Sequence, residues 1–381
     1  MTITRIETFL VPPRWQFVRV ETDEGLVGWG EPVLEGHAEV VRAAVHSFAE
    51  FLVGADERRI EDLWLTMTKG GFYRGGPVLN SAAAGIDQAL WDIAGKRLGV
   101  PVHALLGGHV RDRVRAYAWV GGDDSHEIED GITRRLEQGM TAVKLNASGK
   151  TPPLGAPSDT AAIVARAQAA REVLGATRDF ALDFHGRLSL AASRRVIPLL
   201  EPLHPLFVEE PVVPEASAHL HRVVDATTVP IATGERLYSR QEFLPVLQQG
   251  VAIVQPDVSH AGGISEMRRI AALAETFDAR LAPHCPLGPM TLAASLAVGF
   301  ASPNMLIQEH SMGIHYNNGA DLLDYVVDAA PFAIVDGHFG LNRAPGLGVD
   351  VDEAAIREAD RRGHTWRSPR WRHDDGSFAE W

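Results

Sequence analysis

From Arg115 onward the chain repeats one pattern, a short apolar run followed by a stretch whose apolar residues recur every three or four positions. The runs are RAYAWV, TAVKLN, DFALDFH, LFVEEP, PIATGE, AIVQPD, RLAPHC and MLIQE; TAAIVARAQAAREVLG and ISEMRRIAALAETF carry the helical spacing between them. Such alternation predicts an α/β fold with a parallel sheet, and eight runs fit closure into a (β/α)8 TIM-type barrel.

The first thirty residues read differently. ITRIETFLV and WQFVRVETD are extended patterns around the turn-like Pro12-Pro13, and Asp23-Glu24-Gly25 opens a further turn into LVGWGEP, which predicts an antiparallel meander. Helical spacing follows at Val41, Val45, Phe48 and Leu52, and again at Ile86, Leu90, Ile93 and Ala94, with Gly99 and Pro101 as stop signals. A meander followed by helices makes an α+β unit of roughly the first 110 residues.

A hydrophobic content of 45% over 381 residues excludes disorder of the whole chain, and a net charge of −13 opposes nucleic acid as a partner. The tail HTWRSPRWRHDDGSFAEW mixes Trp366, Trp371 and Trp381 with basic residues but continues into Asp374 and Asp375, so packing against the body is expected. Leu281 to Gln308 carries no charged residue, yet its prolines favour a buried strand, loop and helix over a membrane span. A single cysteine, Cys285, and an N-terminus without a basic-then-apolar signal pattern lead us to expect a cytoplasmic protein. Cys285 is expected to be a packed apolar residue.

Chemistry is carried by what stands at the end of each run: Lys144, Asp183 with His185, Glu209, Glu235, Asp257, His284 and Glu309, at intervals of 22 to 39 residues. Barrel enzymes place catalytic groups at these ends. One polar end alone is as readily a helix cap; seven in register are hard to produce by chance. Asp183, Glu209 and Glu235 on consecutive strands would repel one another, and a divalent cation resolves the repulsion, magnesium or manganese suiting an all-oxygen set. Glu209 and Glu210 should face opposite sides of a strand, and spacing does not choose between them. Asp183 and His185, two apart, should face the same side. Asp257, one strand before His284, can fix the tautomer of that imidazole and raise its basicity. Two histidines flanking a metal suggest proton abstraction beside a carboxylate and acid-assisted loss of a leaving group, a β-elimination. Glu309, if protonated, could donate a hydrogen bond to the enediolate.

VKLN, LDFHGR, FVEEP, TGERLYSR, QPDVSHAGGI, LAPHCPLGP and QEHSMGIHYN, with WGEP, GFYRGGP, GIDQALWDIAGK and WRHDDGSFAEW, resemble the D-galactonate dehydratases, a family in the mandelate racemase subgroup of the enolase superfamily. The similarity runs nearly end to end. It implies an α+β capping domain over 1–112, the barrel over 113–320 and a C-terminal segment, 321–381, completing the cap. It implies one magnesium per subunit on Asp183, Glu209 and Glu235, with manganese as a substitute. His284, paired with Asp257, would take the C2 proton of an acid sugar; His185 would protonate the departing C3 hydroxyl, and Glu309 would stabilise the enediolate. The product implied is 2-dehydro-3-deoxy-D-galactonate. Related racemases carry a Lys-x-Lys pair where this chain has Lys144-Leu145-Asn146, which argues against racemisation. Cap loops near Pro12 to Phe17 and Gly71 to Gly76 would select the substrate, and 147–159 reads as a flap or an inert surface loop. Alternatives are a dehydratase of gluconate, fuconate or arabinonate, or a non-catalytic sugar-acid-binding barrel. A small-molecule acid sugar is the expected partner, with no nucleic acid or membrane, and a homo-oligomer is the prior for barrel enzymes.

Overall fold

In the computed structural model, residues 1–121, 125–314, 317 and 319–381 are described; His315 and Tyr316 of the QEHSMGIHYN motif lie outside them. The chain opens with β1 (Ile3–Val11), β2 (Trp15–Thr22) and β3 (Val27–Gly30), paired antiparallel in that order, as the extended patterns predict. Helices α1 (Ala38–Leu52) and α3 (Gly76–Leu98) pack on the sheet, and α2 (Ile60–Lys69) packs on α3. Val41, Val45, Phe48 and Leu52 meet Val18, Val20, Ile86, Leu90 and Ile93 in one apolar cluster, so the helical spacing does bury a single face of α1. Contact between β3 and α3 is close because both are glycine-bearing: a Cβ on Gly30 would lie 1.9 Å from the Gly85 carbonyl oxygen. A short helix, α4 (Val102–Leu105), then leads to the barrel.

The barrel strands are β4 (Arg113–Val120), β5 (Ala142–Asn146), β6 (Asp179–Asp183), β7 (Phe207–Glu209), β8 (Ile231–Thr233), β9 (Ile253–Val254), β10 (Arg280–Leu281) and β11 (Gln308–His310). They pair in parallel in chain order, β11 returns to β4, and a bridge between Leu281 and Met305 links the last two, closing the ring. Helices α5 (Ser125–Glu137), α6 (Pro157–Leu174), α7 (Leu190–Val196), α8 (His221–Val224), α9 (Arg240–Leu247), α10 (Gly263–Glu275) and α11 (Pro289–Ala301) fill the crossovers. Between β11 and Ile334 the described residues hold two 3₁₀ turns, Leu322–Tyr325 and Ala330–Phe332, in place of an α-helix, as the chain runs back toward the cap. No helix among them is long and apolar enough to cross a membrane; the uncharged stretch from Leu281 supplies β10, a loop and the buried α11.

Every strand contributes one side chain to a plug across the barrel axis: Tyr117, Ala142, Ala181, Phe207, Ala232, Ile253, Ala282 and Ile307. Large and small residues interleave, which fills the tapering interior. Side chains alternate along a strand, so the next inward positions are two residues on, at 119, 144, 183, 209, 234, 255, 284 and 309. The polar layer is therefore the floor of the barrel mouth, laid directly on an apolar plug.

The C-terminal part contributes to both regions. A hairpin of β12 (Ile334–Val335) and β13 (His338–Gly340) pairs antiparallel with the start of β4, while α12 (Glu353–Arg362) packs on β1, where Asp360 accepts a hydrogen bond from the Leu10 amide at 2.7 Å. The tryptophan-rich tail packs back on the body, Trp366 under the Arg14 guanidinium and Trp371 under that of Arg187. The segment after Asn146 is bound down: the Ser148 carbonyl accepts from Arg187, the Leu154 carbonyl from Arg195, and the Pro153 carbonyl from the Ser189 amide.

Candidate active site

Asp183, Glu209 and Glu235 converge at the mouth, each offering an oxygen within 4.8 Å of the others. Asp183 and Glu209 get there by strand alternation. Glu235 should by alternation point outward; Gly234, at φ 149°, turns the chain and brings it in. Two other residues reach their expected places by a route other than alternation. The β6 strand ends at Asp183, and His185 lies beyond it at φ 47°, so its proximity to Asp183 (Nε2 to Oδ2, 3.1 Å) comes from a tight turn in which Asp183 accepts the His185 amide at 2.9 Å. Glu210 likewise has left the strand at φ 41°, and its carboxylate is held by Arg236 at 2.6 and 2.8 Å. Glu209, not Glu210, joins the carboxylate cluster.

The charge balance of the cluster is unusual for a buried site. Burial, and then Asp183, pushes the Glu209 carboxyl up to about 7. Burial, and then Glu210, pushes Glu235 well above the carboxylate range. Asp183 Oδ2 and Glu235 Oε2 are buried without a hydrogen bond among the described residues, although His185 Nε2 and His284 Nε2 approach them to 3.1 and 3.6 Å. Crowded carboxyls with orphaned oxygens and an all-oxygen donor set are what a hard divalent cation requires. Lys144 is the lysine set into the cluster: its Nζ lies 2.9 Å from Glu209, 3.0 Å from Glu309 and 3.6 Å from Asp183, under the rings of Tyr117 and Trp119. Burial opposes its charge, but Glu209 and Glu309 outweigh that and keep the ammonium protonated well above the usual lysine range. The sequence had suggested Lys144 only as a strand end; its inward position two residues beyond Ala142 is the signal that marks it.

His284 and Asp257 form a close pair, Nδ1 to Oδ2 at 2.8 Å, and the second Asp257 oxygen accepts the Ser259 amide at 2.7 Å. The Nε2 of His284 is thereby left facing the mouth, 3.6 Å from Glu235. Burial acts to lower its pKa, but Glu235, Asp257 and Glu309 raise it well above the usual histidine value. On the far side, burial pushes the His185 imidazole down to about 3, and its buried Nδ1 has no hydrogen-bond partner among the described residues. The β6 and β10 strands stand four apart in a ring of eight, so His185 and His284 address the mouth from opposite sides. Glu309 accepts the Cys285 amide at 2.9 Å with one oxygen and faces Lys144 with the other. Cys285 itself is buried among apolar residues, as expected. Of the two cap loops, 12–17 is buried from Arg14 onward and brings Arg14 to the Pro286 carbonyl at 2.7 Å, whereas Phe72 and Tyr73 in 71–76 are 91% and 88% exposed.

A closed parallel barrel with an acidic triad and two opposed histidines at its mouth, roofed by an α+β cap, defines the enolase class of barrel enzymes. The chain belongs to the mandelate racemase / muconate lactonizing enzyme family: residues 10–107 match its N-terminal domain and residues 127–355 the enolase C-terminal domain-like family. It is 54% identical to a D-galactonate dehydratase of Variovorax paradoxus and 51% identical to one of Pectobacterium atrosepticum, in each case over 100% of both chains. Among solved structures, an enolase from Agrobacterium radiobacter with bound sodium and L-malate superposes with a TM-score of 0.92 at 34% identity, covering 100% of both chains. A mandelate racemase/muconate lactonizing enzyme from Jannaschia sp. CCS1 gives 0.86 at 32% identity, over 94% of this chain and 97% of that one.

If Asp183, Glu209 and Glu235 share a cation, replacing Glu235 with Gln removes one anionic ligand and should weaken magnesium binding by at least about tenfold. Titration calorimetry reads the change, and an unaltered affinity would remove Glu235 from the ligand set.

Proposed function

We propose that the chain is a magnesium-dependent D-galactonate dehydratase, removing water across C2 and C3 to give 2-dehydro-3-deoxy-D-galactonate. The observation that carries this reading is the pair of opposed histidines over one carboxylate triad, in a chain similar along its full length to dehydratases of that substrate.

Magnesium held by Asp183, Glu209 and Glu235, with manganese as the alternative ion, would supply positive charge against the triad and the substrate carboxylate, lowering the cost of an anion at C1 and C2. The residues do the proton work. His284, oriented through Nδ1 by Asp257, presents Nε2 as the base that takes the C2 proton; it does so as the neutral imidazole, which a cation held by Glu235 would favour by offsetting the carboxylate charge that otherwise raises its pKa. His185, across the mouth, gives a proton to the C3 hydroxyl as the C3–oxygen bond breaks, so the hydroxyl leaves as water. An anionic substrate beside His185 favours the protonated imidazole that burial alone disfavours. Removal of the proton on one side and of the hydroxyl on the other is an anti elimination, leaving an enol that becomes the 2-keto acid by gaining a proton at C3. Lys144 and Glu309 complete the floor beneath the developing enediolate, and Glu309 can donate to it only when carrying a proton.

Proton magnetic resonance in D2O tests this directly. Galactonate should disappear with magnesium present and yield a 2-keto-3-deoxy acid carrying one deuterium at C3; galactonate left intact would overturn the assignment of substrate. We take the chain to act on a small acid sugar and to assemble as a homo-oligomer.

A further inference from the structure

Beyond the pair of His284 and Asp257, a second imidazole and a second carboxylate are built against the same site, and the reaction as derived leaves them idle. His260, 4% exposed, sits at the end of the turn Asp257-Val258-Ser259-His260. Its Nδ1 lies 3.8 Å from Asp257 Oδ2, the oxygen that His284 uses, and its Nε2 lies 3.5 Å from Glu35 Oε2. The His260 and His284 rings are 6.0 Å apart. Glu35 comes from the cap, in the loop after β3. Its other oxygen is 3.7 Å from Arg14 Nε, and the same guanidinium donates to the Pro286 carbonyl, two residues beyond His284.

The turn itself is fastened to the cap. Gln88 on α3 donates to the Ser259 hydroxyl at 3.0 Å and to the Val258 carbonyl at 3.3 Å, while Trp64 on α2 donates to the Gly262 carbonyl at 2.7 Å. Both ring nitrogens of His260 face carboxylates at ion-pair rather than hydrogen-bond distance, and its buried Nε2 has no hydrogen-bond partner among the described residues, so the two carboxylates meet it through charge. Burial opposes the cation, but Asp257 and Glu35 outweigh it and raise the His260 pKa. Glu35, against burial, is drawn down to about 2 by His260 and Arg14. Alternating charges thus run from Arg14 through Glu35 and His260 to Asp257.

We propose that Glu35 and His260 are positioning residues, through which the cap holds the Asp257 carboxylate against His284 Nδ1 and so keeps the Nε2 of His284 aimed at the substrate C2. A misaimed base costs rate without loosening substrate, because neither residue needs to touch the sugar acid. The inference rests on the dehydratase reading above.

The test uses purified E35Q, H260A, H260N and the E35Q/H260A double variant beside the wild type, with D-galactonate and [2-²H]galactonate in saturating magnesium. H260A should lower kcat by about 10- to 100-fold with KM within about threefold, on the scale of lost supporting contacts and small misplacements. The deuterium isotope effect on kcat should rise, because proton abstraction has become the slow step. H260N, which keeps a donor toward Asp257, should recover most of the rate. E35Q should cost less than H260A and nothing further when added to it, since it acts through His260. Should H260A not accumulate as folded protein, E35Q, isosteric with the native residue, carries the test by kcat, KM and isotope effect. Unchanged kcat in both single variants, a loss confined to KM, an unmoved isotope effect or fully multiplicative losses would each overturn the proposal. A wild type silent on galactonate would instead sink the dehydratase reading, which keeps the two failures apart.

Discussion

Replacing His284 with Asn is expected to lower dehydration of galactonate by about 10²- to 10⁴-fold, the range lost with a general base. Asn keeps a group that can meet Asp257, yet it has no nitrogen able to accept the C2 proton. Exchange of the C2 hydrogen with solvent should vanish along with product. Replacing His185 with Asn should separate the two steps: the base stays in place with Asp257, so C2 exchange persists while water loss stops. The two variants read together assign the roles. An H185N enzyme that dehydrates galactonate at the wild-type rate would move the acid elsewhere on the mouth.

The second large effect concerns Lys144. Its ammonium is 1% exposed and lies within 3.6 Å of three carboxylates, Asp183, Glu209 and Glu309. Replacing it with Met retains most of the volume and removes the charge, leaving buried carboxylates without their nearest cation. Breaking a buried ion pair from one side costs about 3–5 kcal/mol, and we expect a loss of that order in the metal-free enzyme at neutral pH. Because the folded-state pKa of Lys144 is raised, its contribution is fully present below the ordinary lysine pKa and is lost only as pH rises through the folded value, so neutral pH samples all of it. Saturating magnesium, binding the same carboxylates, should restore part of the loss. Denaturant unfolding with and without magnesium reads both effects. Equal stability of K144M and wild type in EDTA would mean that protons, not Lys144, neutralise the cluster.

Much of this site was legible in the chain because a parallel barrel converts sequence interval into spatial neighbourhood. One polar residue per strand–helix unit becomes one residue per position around the mouth, so sequence interval alone groups Asp183, Glu209 and Glu235. Finer inferences failed where the backbone stops being a strand. His185 was expected beside Asp183 because residues two apart share a face; it is beside Asp183, but by a turn at φ 47°. Glu235 obeys the glycine before it and not the pleat. Lys144 was undervalued because its role depends on the carboxylates of β6, β7 and β11, which only ring closure brings around it. Glu35 and His260 carried no periodic signal, since their meeting is set by how the cap docks on the turn after β9, through Gln88 and Trp64. Proline and glycine content marks the segment after Asn146 only as a flap or surface loop, whereas Arg187 and Arg195, outside that segment, hold it down.

The central claim is that this barrel dehydrates D-galactonate with a metal held by Asp183, Glu209 and Glu235. Its most direct test is a semicarbazide assay for 2-keto acid formation across a library of acid sugars, run with magnesium and again with EDTA. The account predicts a 2-keto acid from D-galactonate in magnesium and none in EDTA. No product from D-galactonate in magnesium, or undiminished turnover in EDTA, would contradict it.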